Sequence, residues 1–241
     1  MKLSIIIPVY NSEQTIELVV EDIINHLENK IAYEIILIDD FSLDNSYLIL
    51  EKLGKTHKNL KIVKLEKNYG QQNAIFAGLN FVTGKYVLTM DDDLQHNIEY
   101  YKEMMDQINK GYDLVYGIDT KNNGINYKTL GAKLRDFFFK LAFPKAENNN
   151  VSSFRIFKSD LLGDILKTNY HFIYLSGILL RLTPKITYIN VHNRKSNNQS
   201  NYSFFKLFKL FLKLVFYYSR VFPDQVKPKG EQYTIEKTIN I

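Results

Sequence analysis

The chain of 241 residues contains no cysteine. That absence excludes a disulfide framework, a thiolate zinc site and a cysteine nucleophile, and it is compatible with the reducing cytoplasm. No signal peptide or spanning helix opens the chain, because the apolar run after Met1 and Lys2 ends at Pro8 and Val9, far short of either. Tandem repeats are missing. Charge of one sign is only slightly in excess: 31 Lys and Arg against 26 Asp and Glu give a net +5, which by itself selects no partner. A glycine-rich dinucleotide fingerprint is absent after the first apolar run, as is a phosphate loop ending in Gly-Lys-Ser/Thr. Rossmann dehydrogenases and P-loop kinases are therefore excluded.

What is present is an alternation. A hydrophobic content of 45% over this length suits one α/β domain with a sizeable core, or such a domain plus a short accessory segment. Residues 3–9 read as a buried strand, and Ser12 and Glu13 open a helix with Ile16, Val19, Val20, Ile23 and Ile24 on one face. Further strands are expected at 34–38, 60–65 and 85–90, and helices from about Asp44, whose side chain can cap, and at 72–81. Such alternation predicts an open, mostly parallel sheet flanked by helices, with ligands beyond the carboxyl ends of the strands. Those ends carry Tyr10-Asn11, Asp39-Asp40, Asn68-Tyr69-Gly70 and Asp91-Asp92-Asp93-Leu94-Gln95-His96. Three consecutive carboxylates repel one another unless a cation sits among them.

These four clusters, in this order and spacing, resemble the family 2 glycosyltransferases of the GT-A fold, and within them the branch of dolichyl-phosphate mannosyltransferase and bacterial polyprenyl-phosphate glycosyltransferases. The matching segments are Ile7-Pro8-Val9-Tyr10-Asn11, Ile38-Asp39-Asp40-Phe41-Ser42, Asn68-Tyr69-Gly70 with Ala77-Gly78, and Met90 to His96. The resemblance covers residues 3–220. It implies a nucleotide-sugar donor, UDP- or GDP-linked, held by Pro8, Tyr10, Asn11, Asp40, Asn68, Gly70 and Asp91. Tyr10 offers a flat ring for a nucleobase and Asp40 a carboxylate acceptor for a base N–H. Asp39 is expected to brace the turn instead. The Asp91/Asp93 pair matches the family's Asp-X-Asp motif, with side chains on one side of an extended segment. The resemblance makes Asp91, Asp93 and Gln95 the metal ligands, and hard oxygen donors select Mg²⁺ or Mn²⁺. Asp92 receives no role, and a lone loop histidine such as His96 reads as structural.

In the second half, Val151-Ser152-Ser153-Phe154-Arg155 stands where many relatives carry an acidic pair that serves as general base. A phosphate acceptor is already anionic; it needs cations rather than a base. Arg155, with Asp93 as the other catalytic candidate, thus favours a polyprenyl phosphate acceptor. Residues 192–202 resemble the branch's Arg-X-X-Gly-X-Ser-X-Tyr signature, a loop closing over the diphosphate. Ser153, Arg155, Arg194, Lys195, Ser200 and Tyr202 are the acceptor- and phosphate-binding candidates. Two departures from the pattern are Asn198 at the glycine position and Lys195 at the arginine position, with Arg194 one residue early. Ser12 replaces a family glutamate, which Glu13 could substitute.

Lys206, Lys209 and Lys213 form one helical stripe among leucines and phenylalanines, as in an interfacial helix. Its apolar runs are too short to span a bilayer. The expected layout is a GT-A domain over 1–202, a membrane-surface amphipathic helix over 203–222 and a loose polar tail over 223–241. That describes a peripheral enzyme on the inner face of the cell membrane, with room for a separate membrane-protein partner and no nucleic acid. Two alternatives are transfer to a sugar hydroxyl of a glycan or lipid-linked saccharide, with Asp136 or Asp160 as base, and a non-catalytic nucleotide-sugar-binding subunit.

Overall fold

The computed structural model describes residues 2–119, 151–194, 204–219, 222 and 224–241, and within the last helix the side chains of 204–208, 210 and 211 are outside the description. The strands are β1 (Lys2–Val9), β2 (Ala32–Asp39), β3 (Leu60–Leu65), β4 (Tyr86–Thr89), β5 (Leu114–Asp119), β6 (Arg155–Lys158), β7 (Ile186–Val191) and β8 (Ile235–Ile239). They join one sheet in the order β7-β5-β6-β4-β1-β2-β3-β8. The centre is parallel, β4-β1-β2-β3, while β6 runs antiparallel between β4 and β5. The helices are α1 (Ile16–Leu27), α2 (Ser46–Thr56), α3 (Gln71–Gly78), α4 (Tyr101–Asn109), α5 (Leu162–Leu166), α6 (Leu175–Leu182) and α7 (Phe204–Tyr218).

Both faces of the central strands are covered, which is why β1 and β2 read as continuous apolar runs. Ile5, Ile7 and Val9 meet α1, α2 and α4 on one face; Ile6, Ile36 and Ile38 meet α3, α6 and α7 on the other. Gly78 lets α3 close onto the sheet, since a Cβ there would lie 2.7 Å from Ile38 Cδ1. The Asp44 carboxylate accepts the Ser46 N–H at 2.9 Å at the start of α2, as its sequence position suggests.

Two expectations change. The stretch 224–241 is not loose: β8 pairs antiparallel with β3, and the Asn240 amide donates to the Gly54 and Leu60 carbonyls at 2.6 and 2.9 Å. It reads as polar because it is an edge strand, whose charges Glu236 and Lys237 pair with Lys64 and Glu51. The amphipathic helix is also partly core. Leu214, Tyr217 and Tyr218 are buried against α6, whereas Lys209, Leu212 and Lys213 are exposed. No helix among the described residues is long and apolar enough to cross a membrane.

At the amino edge of the sheet, the buried Glu34 carboxylate accepts from Lys2 Nζ (2.7 Å), Ser4 Oγ (2.6 Å) and the Thr83 N–H and hydroxyl (both 2.7 Å). Burial alone would raise its pKa, but these donors win and hold it at about 2, below the ordinary 4.5. A depressed folded value contributes stability that is full above the unfolded pKa and is lost as pH falls toward the folded one. We therefore expect urea denaturation midpoints to drop between pH 4.5 and about 2. Glu34→Gln should flatten that dependence and cost about 3 kcal/mol at neutral pH by leaving Lys2 and Lys61 without their anion; an unchanged pH profile would contradict this account.

Candidate active site

The carboxyl ends of β1 to β4 surround a cavity of about 490 Å³ lined by Pro8, Val9, Tyr10, Asp40, Asn68, Gly70, Gln71 and Asp91 to Asp93. Three non-glycine residues at this rim, Asn11, Phe41 and Leu94, have φ of 53°, 62° and 62°, a region that side chains rarely adopt without compensation. Asn11 shows the compensation: its Oδ1 accepts the Leu43 N–H at 2.8 Å, and its own N–H donates to Ser42 Oγ at 3.1 Å. It knits two loops together and does not line the cavity, so its expected donor contact becomes a structural one. Asp39 braces the same turn through the Ser42 N–H.

Asp40 is 2% exposed and accepts the Tyr69 and Gly70 N–H groups at 2.7 and 2.8 Å, one on each oxygen. Burial pushes its carboxyl above the ordinary value, against these two donors. Each carboxylate oxygen keeps further acceptor capacity. Gly70 has φ of +86°, which a residue with a Cβ adopts at a cost. Tyr10, with 45% of its surface exposed, lines the same cavity.

Each acid of the run after β4 has its own partners. Asp91 accepts from Gln71 Nε2 at 2.5 Å and from Ser153 Oγ at 2.6 Å, and its N–H donates to His96 Nδ1 at 3.2 Å. Asp92 turns the other way, accepting the Tyr10 N–H at 3.2 Å and the Ser12 hydroxyl, while its carbonyl accepts Thr15 Oγ1 at 2.7 Å. The exposed Asp93 accepts from the Gln95 N–H at 3.1 Å and from the Gln95 side chain. His96 is buried and stacked on Phe154, ring centroids 4.9 Å apart, the structural role its sequence position suggested. Asp92 and Gln71 are the residues that sequence reasoning missed. The signal for Asp92 was the hydroxyl pair Ser12 and Thr15 at the entry to α1; nothing in the sequence marks Gln71.

Asp91, Asp93 and Gln95 present oxygen donors along one short segment, the set a hard divalent cation prefers. Among the described residues no three carboxylate or imidazole groups converge as a ready-made cage. A cation here would complete its shell with diphosphate and water oxygens.

The acceptor-side candidates divide. Ser153 joins the site through Asp91. Arg155 does not face the cavity: it is 2% exposed and points beneath the sheet end toward Thr89 and Ser176. The Arg194 guanidinium pairs with Asp22 of α1 at 3.2 Å, although its backbone N–H docks on the Gln95 carbonyl at 2.9 Å. Glu13 is engaged with Asn45 and leaves the family glutamate unreplaced. Asp160 is exposed after β6, whose end Lys158 pairs with Tyr86 at the start of β4, so it sits at the edge away from the cavity. Asp136, Lys195, Ser200 and Tyr202 lie outside the described residues.

A second cavity of about 510 Å³ meets the first at Gly70 and Gln71. Its walls include Tyr69, Phe172, Tyr174 and Tyr217, with His171 and Lys213, and among the described residues no carboxylate.

The sequence profile described as Glycosyl transferase family 2 matches residues 4–166. Among solved structures, TarS of S. aureus aligns at 25% identity and a TM-score of 0.51, over 68% of this chain and 29% of TarS. Glucosyl-3-phosphoglycerate synthase from Mycobacterium tuberculosis, in complex with phosphoglyceric acid, aligns at 20% identity and a TM-score of 0.65, over 92% and 81% of the two chains. The same synthase with Mn²⁺, UDP-glucose and phosphoglyceric acid gives 18% identity and a TM-score of 0.59, over 89% and 78%. The synthase carries the fold alone. The present chain spans under a third of TarS.

The differing partners of the acids give separable outcomes. Asp92→Ala strands the Tyr10 N–H and the Ser12 hydroxyl and should lower unfolding free energy by about 1–3 kcal/mol. Asp93→Ala, at an exposed position, should change it by less than about 0.5 kcal/mol. Urea titration of the two variants checks both, and equal losses would refute the assignment.

Proposed function

The chain belongs to glycosyl transferase family 2, and on that premise we propose that it transfers a sugar from a nucleotide-diphosphate donor to a polyprenyl phosphate at the inner membrane face. The observation that carries the acceptor class is the chemistry of the two cavities. Among the described residues the carboxylates lining them are Asp40 and Asp91 to Asp93. Asp40 and Asp92 are occupied by backbone N–H groups and Asp91 by two side chains. A sugar hydroxyl would need a free general base, whereas a lipid phosphate needs none. The aromatic second cavity with Lys213 and His171 suits a phosphate followed by an isoprenoid chain.

In this reading Tyr10 and Asp40 take the nucleobase, and the UDP-glucose held by the synthase makes uridine the first choice of nucleotide. Asp91, Asp93 and Gln95 would hold Mg²⁺ or Mn²⁺, which when bound neutralises the diphosphate and stabilises it as leaving group. A phosphate oxygen of the lipid forms the new bond to the anomeric carbon while the bond to the diphosphate oxygen breaks. The electron pair leaves with the nucleoside diphosphate, and one in-line displacement inverts the configuration. The exposed Lys209 and Lys213 on α7 would face anionic headgroups.

Incubation with radiolabelled UDP- and GDP-sugars, short-chain polyprenyl phosphate and Mn²⁺ should give a labelled, mild-acid-labile lipid that EDTA abolishes. Asp93→Asn should lose that turnover and keep its fold. Nucleotide-sugar binding without any lipid product would instead favour a hydroxyl acceptor. For membrane attachment, reversing both charges in Lys209→Glu/Lys213→Glu should weaken binding to anionic vesicles by at least about tenfold. Equal sedimentation of variant and parent with vesicles would remove the membrane role of α7.

A further inference from the structure

Beneath the acid run lies a cation that the reaction outlined above does not use. The Arg155 guanidinium is buried, yet among the described residues it has no carboxylate partner. It has two hydroxyls, Thr89 Oγ1 at 3.1 Å from Nε and Ser176 Oγ at 2.5 Å from Nη1, and the ring of Tyr116 at 5.9 Å. Enclosing a charge with neutral partners is costly, so its retention calls for a compensating task. The direction of the hydrogen bonds indicates one. Thr89 gives its hydroxyl proton to the Ser153 carbonyl at 2.5 Å, which leaves its oxygen free to accept from Arg155. Ser153 in turn gives its hydroxyl proton to Asp91 Oδ2 at 2.6 Å. One rigid relay thus runs from Ser176 at the start of α6, through Arg155 and Thr89, to Ser153 and Asp91 at the cavity.

We propose that Arg155 is a positioning residue: it fixes the Thr89 hydroxyl, Thr89 fixes the Ser153 backbone, and Ser153 holds Asp91 in the orientation that a cation and diphosphate require. This departs from the acceptor contact expected from the sequence. It rests on the reading of Asp91 as part of the donor and cation site. Only the hydroxyl of Thr89 takes part in the relay, and serine keeps that hydroxyl.

The test is calorimetric titration of the intact protein with UDP, in Mn²⁺ and in EDTA. Parent protein should bind UDP more tightly in Mn²⁺. Thr89→Val should lose about tenfold of that gain, beyond any change in its UDP affinity in EDTA, because a misplaced ligand side chain is expensive. Thr89→Ser should keep the gain, an outcome that a packing role alone would reverse. Arg155→Met should match Thr89→Val, and the double variant should lose no more than either, since links of one relay are not additive. Should Arg155→Met fail to fold, the two Thr89 variants decide. A full Mn²⁺ gain in Thr89→Val, or losses that multiply in the double variant, overturns the relay while leaving the cation site standing. A parent protein that binds UDP equally with and without Mn²⁺ overturns the cation site and the relay with it.

Discussion

Three like charges at consecutive positions after β4 set the constraint around which this rim is arranged. Carboxylates so close push apart unless each has its own donors. Here the donors come from three directions. Asp91 is held by Gln71 from the first turn of α3 and by Ser153 from the loop before β6. Asp92 is held by Tyr10 and Ser12 from the loop after β1, and Asp93 by Gln95 from its own turn. Separating the charges and assembling the cavity are therefore one act: the bonds that keep the acids apart also bring the loops to the rim.

The loop after β3 is fixed by a different logic, from both sides. Asp40 takes the Tyr69 and Gly70 N–H groups from within. From outside, the residues leading into β8 take over: the Glu66 N–H donates to the Thr234 carbonyl at 3.1 Å, and Tyr69 and Thr234 join hydroxyls at 3.0 Å. Because β8 follows α7 in the chain, the basic helix and the donor-side loop are anchored by one continuous return segment.

Much of this was legible in advance. Continuous apolar strands, the alternation with helices and the polar strand ends led to the parallel sheet and to a cavity lined by Tyr10, Asp40, Asn68, Gly70 and Asp91. What escaped has a physical pattern. The role of β8 was hidden because an exposed edge strand carries the charges of a tail. Arg155 was assigned outward because a sequence records an arginine's charge but not its face; its neighbours Phe154 and Ile156 point to one core, whereas Arg155 points to Ser176 and Tyr116 on the other side. Asp92 was passed over for the same reason, since a sequence does not record that its side chain turns away from the neighbouring acids toward Tyr10 and Ser12. Arg194 was a candidate for lying one residue before the motif's arginine position, and such nearness does not reveal that Asp22 on α1 lies within reach of it.

The two cavities divide the charges between them. The first concentrates carboxylates; the second has aromatic rings, Lys213 and His171, and no acid among the described residues. A diphosphate alone would be repelled by the first and drawn toward the second. With a divalent cation it becomes compatible with the acids, which leaves the cationic cavity for a separate anion. Gly70 and Gln71 form the boundary, and Gln71 spends its amide on Asp91, so the wall between the two is itself tied to the acid run. An acceptor that brings its own negative charge suits this partition. A neutral hydroxyl would gain nothing from Lys213, and among the described residues it would find no free base along either cavity.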